Sequence, residues 1–256
     1  MKRIKLTVAY DGTAYAGWQL QPDQPTVEAK LNKALTELLG EEIAVIGASR
    51  TDSGVHSLGN VAVFDTNSAI PATKVCFALN QRLPEDIRVQ TSIEVPEDFH
   101  PRKTVSYKTY EYRILNRRIA LPTERLYSNH IYYELDIAKM QEAASYLVGD
   151  HDFKSFCSVK TQVVDTVRTI YQLKVSKNVD NITIRVTGGG FLYNMVRIIA
   201  GTLIEVGRGA YPPQKIISIL EGCDRGLAGP TAPAMGLTLI KIDYPELDEM
   251  ESMQDR

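Results

Sequence analysis

The sequence has few of the residues that mark metal sites and disulfide scaffolds. It contains three cysteines without a Cys-x-x-Cys pair and four histidines without His-x-x-x-His spacing. An odd, widely spaced set of cysteines argues against a disulfide framework and against a thiolate metal site. We therefore expect a protein of a reducing compartment that holds no metal ion.

Long apolar runs are also missing. No stretch approaches the roughly 20 apolar residues that a membrane span requires, and the first residues, MKRIKLTVAYDG, lack the apolar run of a signal peptide. With 44% hydrophobic and 23% charged residues, the composition is that of a globular protein. We expect a cytoplasmic protein that does not bind membranes.

The surplus of positive charge that usually accompanies nucleic-acid binding is absent from the chain as a whole. The formal net charge is −2, but residues 245–256 hold five acidic residues and one basic residue, so the rest of the chain carries +2. Basic residues cluster in 102–103, 108–118 and 168–177. This distribution permits RNA binding without identifying it.

Hydrophobic periodicity predicts two successive β-α-β-β-α-β units. In the first, strands are predicted at 3–10, 43–48, 61–65 and 87–94, with helices behind Thr26, a candidate N-cap, and after Pro71. In the second, strands are predicted at 106–115, 164–175, 182–186 and 237–242, with helices at 136–148, 191–206 and 213–220. Such ferredoxin-like units form antiparallel-rich sheets with helices on one face. We predict an α+β protein with halves 1–103 and 104–245, a cleft between them, and an acidic tail over 246–256.

The segment GASRTDSGVH places Asp52 on a glycine-bearing turn after an apolar strand, two residues from Arg50. A nearby cation keeps a carboxylate ionised even in a cleft, and an ionised, partly dehydrated aspartate is a candidate nucleophile or base. The alternative is a turn aspartate that bonds only to its own backbone.

A second candidate is Arg197, a single cation in the apolar helix that follows Gly188-Gly189-Gly190. If it faces the interior it needs a carboxylate or phosphate, and otherwise its head reaches the surface. A triple glycine that opens a helix is also able to receive phosphate on backbone N–H groups. The segment lacks the Lys-Ser/Thr of a P-loop and the context of a dinucleotide fingerprint.

Aromatic residues form two further candidates. Tyr110 and Tyr112 share one strand face near basic residues, where tyrosines either stack on an unpaired base or pack in the core. The segment from Tyr10 to Gln19, which holds the only tryptophan, either contacts a backbone through its two glycines or simply forms a loop.

Six segments together resemble the bacterial tRNA pseudouridine synthase A family. They are YDGTAYAGWQLQ, SRTDSGVHSLGNV, DFHPR, GDHDFKSFC, GGGFLYNMVRIIAGTL and AGPTAPAMGLTL, in this order from residue 10 to residue 239. The resemblance implies the pseudouridine synthase fold and an enzyme that isomerises uridine to pseudouridine in tRNA. It also implies that no cofactor is needed, that the substrate uridines lie at positions 38 to 40 of the anticodon stem-loop, and that the protein is a homodimer.

The resemblance identifies Asp52 as the catalytic nucleophile, because it is the aspartate of the family's Arg-Thr-Asp-x-Gly-Val-His motif. The other roles it implies are ion pairing with Asp52 for Arg197, stacking on the flipped uracil for Tyr110, binding of the displaced nucleotide for Arg50, an apolar pocket wall for Leu237, and substrate binding for Arg102.

The chain departs from the family's usual residues at a few positions around Asp52. Ser49 stands where glycine is usual, Ser53 and Ser57 where alanine is common, and Asn60 where glutamine is common. Three alternatives follow: a paralogue with shifted or narrowed uridine specificity, a catalytically silent RNA-binding relative, and an unrelated carboxylate-dependent hydrolase. The hydrolase would need a second acid at a set separation, and none is evident near Asp52.

Overall fold

The computed structural model describes residues 1–159 and 163–247, and these form two compact units. The first comprises Met1–Ser106 and the chain from Leu239 onward, and the second comprises Tyr107–Thr238. From residue 248 on, the predicted acidic tail lies outside the described residues. No helix in the described part of the chain combines the length and apolar character needed to cross a membrane.

The first unit follows the predicted element order. Its elements are β1 (Lys2–Tyr10), α1 (Val27–Leu39), β2 (Ile46–Gly47), β3 (His56–Thr66), α2 (Ala72–Asn80) and β4 (Ile87–Val95), and β10 (Leu237–Asp243) enters from the second unit. The strands are ordered β4-β1-β3-β10, with β2 also paired to β3. The pairs β1–β3, β1–β4 and β2–β3 are antiparallel, as expected for a ferredoxin-like unit.

Alternation in β1 explains how this sheet buries one face. Ile4, Leu6 and Val8 are fully buried and pack in one core with residues of α1 and α2, whereas the residues between them are partly exposed. The predicted cap is confirmed, because the Thr26 hydroxyl accepts the Ala29 N–H at 3.3 Å. α1 ends at Gly40, whose φ of 69° is a left-handed conformation that favours glycine.

The strand predicted at 43–48 is much shorter in the structure. Only Ile46 and Gly47 pair with β3. Before Ile46, side chains of α1 accept hydrogen bonds from the backbone of this segment. Thr36 Oγ1 accepts the Ile43 N–H at 3.1 Å, and Asn32 Oδ1 accepts the Val45 N–H at 2.9 Å. Bonds to the helix thus replace strand pairing in this segment.

The second unit contains β5 (Tyr107–Asn116), β6 (Asn129–Ile131), α3 (Ile137–Ser145), β7 (Gly149–Asp152), β8 (Val167–Asn178), β9 (Asn181–Gly188), α4 (Met195–Gly207) and α5 (Lys215–Gly222). Its strands are ordered β5-β9-β8-β7 with antiparallel neighbours, and β6 pairs in parallel with β5. The predicted strands and helices are present, and the short strands β6 and β7 are additions that periodicity did not reveal.

The start of α4 corrects two predictions. The helix begins at Met195 rather than Phe191, because Asn194 adopts a left-handed conformation with φ of 61°, which interrupts the helix geometry. Gly188 is the last residue of β9, so the triple glycine does not open the helix. The expectation that its N–H groups form a helix N-terminal phosphate site is therefore wrong.

Candidate active site

Asp52 lies on a turn between β2 and β3, in the first unit. The Val55 N–H donates to the Asp52 carbonyl at 3.1 Å, and Gly54 supplies the left-handed conformation with φ of 77°. Asp52 itself is half-buried, whereas Arg50 and Ser53 beside it are exposed. Asp52 thus lies on a hydrogen-bonded turn and is partly accessible to solvent.

The segment Tyr10–Trp18 packs against this turn and contacts its backbone. The Tyr10 hydroxyl and Thr51 Oγ1 are 2.7 Å apart, and the Trp18 N–H donates to the Thr51 carbonyl at 3.1 Å. On the other side of Asp52, the Tyr15 carbonyl accepts the Ser53 hydroxyl at 3.2 Å and the Gly54 N–H at 3.3 Å. The residues on both sides of Asp52 are therefore held by hydrogen bonds to the same segment, Tyr10–Trp18.

Two glycines make this approach possible. A Cβ on Gly12 would lie 2.0 Å from the Val55 carbonyl oxygen, and one on Gly17 would lie 2.5 Å from that of Thr51. Gly17 also has φ of 105°, a conformation that L side chains rarely adopt. These glycines let the segment pack directly against the backbone of the Asp52 turn.

Three of the four departures from the family's usual residues, Ser49, Ser57 and Asn60, are joined by hydrogen bonds. Asn60 Oδ1 accepts the Ser49 N–H at 3.2 Å, and Asn60 Nδ2 donates to the Ser49 carbonyl at 3.0 Å. Ser57 Oγ accepts the Asn60 N–H at 2.9 Å. Because Asn60 is fully buried and Ser49 nearly so, these bonds fix the start of the Asp52 turn to β3.

The histidine of the motif joins the same structure. His56 is buried at the start of β3, and its Nδ1 accepts the Gly12 N–H at 3.0 Å. Asp11 Oδ1 lies 3.2 Å from the same nitrogen. His56 therefore ties the Tyr10–Trp18 segment to the C-terminal side of the turn.

Arg102, a predicted substrate-binding residue, is exposed on a separate turn of the first unit. Its backbone N–H donates to His100 Nδ1 at 3.1 Å. The turn is anchored on both sides, because the Tyr244 hydroxyl donates to the Pro101 carbonyl at 2.7 Å and Arg3 Nη1 donates to the Phe99 carbonyl at 2.9 Å.

Arg197, in the second unit, is half-buried on α4 and does not simply extend to the surface. Its Nε donates to the Ala232 carbonyl at 2.8 Å, and its Nη1 donates to Asn194 Oδ1 at 2.9 Å. The Ala232 N–H in turn donates to the Arg197 carbonyl at 3.1 Å. Asn194 is a positioning residue that sequence reasoning missed, although an asparagine three residues before an arginine at a helix start was a usable signal.

Tyr110 and Tyr112 occupy the same face of β5 but have different surroundings. Tyr110 is 8% exposed, and its ring packs edge-on against Phe191 with centroids 5.2 Å apart. The fully buried Tyr112 donates its hydroxyl to the Pro233 carbonyl at 2.9 Å. Burial raises the pKa of Tyr112 despite the opposing charge of Arg197, so its hydroxyl stays protonated and serves as an anchor.

Leu237 begins β10 directly after the segment that Tyr112 holds. It is 5% exposed and follows a turn of 310 helix over Ala234–Gly236. A Cβ on Gly236 would lie 2.7 Å from Tyr112 Cζ, so glycine is required where this segment crosses the ring. Tyr110, Arg197 and Leu237 thus lie in the second unit, and Asp52, Arg50 and Arg102 in the first.

No group of three His, Cys, Asp or Glu side chains within residues 1–159 and 163–247 is arranged to hold a metal ion.

Comparison with known proteins gives consistent matches. The family described as tRNA pseudouridine synthase matches residues 6–102 and 143–245. Three proteins named tRNA pseudouridine synthase A are similar over 95% of this chain and 100% of their own length. They come from Brevibacillus brevis at 50% identity, Ruminiclostridium cellulolyticum at 51% and Thermoanaerobacter sp. at 49%.

Proposed function

Because this chain belongs to the tRNA pseudouridine synthase family, we propose that Asp52 is the carboxylate that performs its reaction. The enzyme isomerises uridine to pseudouridine in tRNA. The N1–C1′ bond breaks, the base rotates, and a C5–C1′ bond forms. Asp52 acts either by adding to C1′ or by removing the C2′ proton.

The observation that best supports this role is the way the Asp52 turn is held. Thr51 and Ser53 are bonded to the Tyr10–Trp18 segment, while Asp52 between them is half-buried. A group held by its neighbours loses little freedom when the substrate binds, and this preorganisation is what a nucleophile or base requires.

The remaining roles extend the proposal to substrate binding. Tyr110 stacks on the flipped uracil, and Leu237 forms an apolar wall of the same pocket. Pairing with the reacting carboxylate is the role that the family resemblance implies for Arg197, whose guanidinium is fixed by Asn194 and Ala232. Base flipping is required because C1′ and C5 are hidden in a stacked strand. Arg50 and Arg102 are both exposed and suited to bind the displaced nucleotide and its phosphates.

The proposed substrates are uridines 38 to 40 of the anticodon stem-loop, and the resemblance to the family supports this assignment. Ser49 and Asn60, which lie next to the Asp52 turn, are the residues through which specificity would be narrowed or shifted. Mapping pseudouridine in tRNA from a strain that lacks this protein tests the assignment. Loss of pseudouridine at other positions only would contradict it.

We also propose that the enzyme is a cytoplasmic homodimer. Its substrate class supports the location, since tRNA is used in the cytoplasm, and the family resemblance supports the dimer. Light scattering of the purified protein tests the oligomeric state. A monomer at the concentrations used for activity measurements would contradict this part of the proposal.

The deciding experiment measures tritium release from tRNA that carries C5-tritiated uridine, because only the isomerase exchanges that hydrogen. Asp52→Asn should retain less than about 1% of the turnover. Its tRNA affinity should be unchanged or higher, since a negative charge is removed from an RNA-binding surface. Asp23→Asn is the matched control, because Asp23 is exposed and its left-handed backbone suits asparagine equally.

Three outcomes bear on the assignment. Turnover of Asp52→Asn well above that level would remove Asp52 as the reacting carboxylate. A wild-type protein that binds tRNA without releasing tritium would be a catalytically silent relative. Loss of turnover in Asp23→Asn as well would mean that the substitutions act through folding.

A further inference from the structure

Two tyrosines of the second unit meet above the central strand of its sheet. Tyr107 starts β5 and Tyr171 lies in β8, and these strands are separated by β9. Their ring centroids are nevertheless 5.1 Å apart at an interplanar angle of 85°. Tyr171 remains 52% exposed, so the pair is not part of the core.

Glycines at and after the end of the central strand lie beside the pair. Gly188 is opposite both Lys108 of β5 and Ile170 of β8, and Gly189 follows it on the other face. A Cβ on Gly189 would lie 3.4 Å from the Tyr171 hydroxyl oxygen. The Tyr171 ring therefore lies against the backbone just after the end of β9.

A β-bulge also directs Tyr171 toward this position. The register of β8 and β9 steps from Ile170↔Gly188 to Gln172↔Thr187, which leaves Tyr171 as the extra residue. Bulges re-aim side chains and are common beside functional sites. The exposure of Tyr171 is thus set by the backbone and is not the result of a loose surface side chain.

A cation, Arg168, lies beside the same glycine segment. A Cβ on Gly190 would lie 3.9 Å from both Cδ and Nε of Arg168, so the Arg168 side chain runs along the glycine segment. Its Nη1 donates to the Asp165 carbonyl at 3.1 Å. Carbonyl oxygens hold the guanidinium without neutralising it, and its positive charge remains available to an anion.

We infer that the tyrosine platform, formed by Tyr107, Tyr171 and Arg168 over Gly189–Gly190, binds an unpaired nucleotide of the substrate tRNA. An exposed aromatic ring and a guanidinium along one glycine segment suit a base and its phosphate, and stacking tolerates any base. This inference rests on the proposed function, and it adds a second binding site for the same tRNA.

The nucleotide bound here is not the uridine that reacts. Successive side chains of a strand point to opposite faces, so Tyr107 lies on the face of β5 opposite Tyr110. Phe191, which packs against Tyr110, follows the glycine segment by one residue. The two tyrosines are therefore near the proposed uracil-stacking residue but separated from it by the sheet, as expected for a site that holds a different nucleotide of the same tRNA.

Substitution of Tyr171 tests the platform with purified tRNA and purified enzyme. Tyr171→Leu should raise the Kd for tRNA roughly 5- to 100-fold, the loss expected for one stacked base, while kcat at saturating tRNA stays within about twofold. Tyr171→Phe keeps the ring and should bind like the wild type. Tyr132→Leu is the matched control, because Tyr132 is 70% exposed and its ring packs against Tyr133 instead.

Substitution of Arg168 provides a second, independent test. Arg168→Gln should reduce the salt dependence of tRNA binding by about one phosphate contact, and Arg168→Lys should largely preserve it. A Tyr171→Leu enzyme that binds tRNA as the wild type does would overturn the platform. A weaker affinity accompanied by a changed oligomeric state would also overturn it, because the surface would then serve a second copy of the chain.

The test separates this inference from the proposed function. Failure of the wild-type enzyme to release tritium would contradict the function, whereas normal release with an unaffected Tyr171→Leu variant contradicts only the platform. If Tyr171→Leu lowers the melting temperature, Tyr171→Trp is used in its place. Tryptophan offers a larger stacking face, so this variant should bind tRNA at least as tightly as the wild type. Weaker binding by a stably folded Tyr171→Trp would overturn the platform as well.

Discussion

At the scale of single residues, the arrangement around Arg197 shows how a cation is placed in an apolar helix without a large energetic cost. An unpaired buried charge is unfavourable, so the guanidinium needs bonds in a defined direction. The Ala232 carbonyl and Asn194 Oδ1 provide them. Asn194 also stops the helix from starting earlier, since its backbone is left-handed. One residue thus sets both the helix start and the arginine geometry.

Asn194→Gly tests that positioning role. Glycine adopts the same left-handed backbone, so the change removes mainly the Oδ1 acceptor. A hydrogen bond to a charged group is worth about 1.5–3 kcal/mol, and we expect kcat to fall roughly tenfold or more with tRNA affinity nearly unchanged. Cys223→Gly, at another left-handed position of the same unit with φ of 47°, should leave kcat unchanged. If tRNA affinity falls and kcat does not, Asn194 does not position a catalytic group.

At the scale of elements, the Asp52 turn depends on a segment that is remote in sequence. The Tyr10–Trp18 segment contributes hydrogen bonds on both sides of Asp52, and its glycines allow close backbone contact. Loops that carry reacting groups are positioned by the rigid elements around them. Here the support is a second loop, fixed at one end by β1 and at the other by the capped start of α1.

Gly17→Ala should therefore disturb catalysis as well as folding. Its Cβ would meet the Thr51 carbonyl at 2.5 Å, which forces the Asp52 turn to move. Gly40→Ala is the control, because Gly40 shares the positive φ but has no atom within 4 Å of a Cβ. We expect both to lose about 1 kcal/mol or more of stability, and only Gly17→Ala to lose kcat at temperatures well below its melting point. Equal kcat values in the two variants would contradict this view of the segment.

The pairing of β1 with β3 includes a cross-strand ion pair whose effect depends on pH. Arg3 bonds both carboxylate oxygens of Asp65, at 2.8 and 2.7 Å, and this bonding lowers the pKa of Asp65. A lowered folded-state pKa gives stability that is present above the unfolded value of about 3.9 and is lost as the pH falls.

Asp65→Asn should accordingly reduce the free energy of unfolding at pH 7 by on the order of 1 kcal/mol, since the pair is partly exposed. The difference from the wild type should shrink as the pH falls from about 4 toward the lowered pKa of folded Asp65, because Asp65 of the unfolded wild-type chain binds a proton first and unfolding becomes more favourable. Denaturant unfolding of both proteins at several pH values above and below 4 measures this difference in the free energy of unfolding, with Asp23→Asn as the control. A difference that grows in acid would contradict the assignment.

At the scale of the whole molecule, the distribution of charge matters more than its sum. The chain is slightly acidic, with a net charge of −2. Two exposed arginines nevertheless lie on turns of the first unit, Arg50 beside Asp52 and Arg102 on a separate turn. Contacts between such residues and phosphates release counterions and make binding salt-dependent.

We expect the tRNA affinity to fall with salt, with a log–log slope of about −3 or steeper, for several phosphate contacts. Arg102→Gln should make the slope shallower by about one contact. Lys33→Gln on α1, where the side chain is 76% exposed, should not change it. Identical slopes for Arg102→Gln and the wild type would remove Arg102 from the RNA-binding surface.

The sequence by itself determined the main elements and their order, the catalytic candidate and the family. Periodicity and capping residues act over a few neighbouring positions, so β1, α1 and the order of the other elements were predictable from local pattern. Asp52 was recognisable because a carboxylate on a glycine-bearing turn beside an arginine is a local feature too. The motifs then related this chain to a family whose reaction is defined.

Tertiary structure decided the contacts that join distant positions. The bond between Tyr10 and Thr51, the pairing of Asn60 with Ser49, and the meeting of Tyr107 with Tyr171 each join residues that are well separated in sequence. They depend on strand register, on a bulge and on the absence of a Cβ at a glycine. None of these is visible in local periodicity, because they arise only when the strands are aligned.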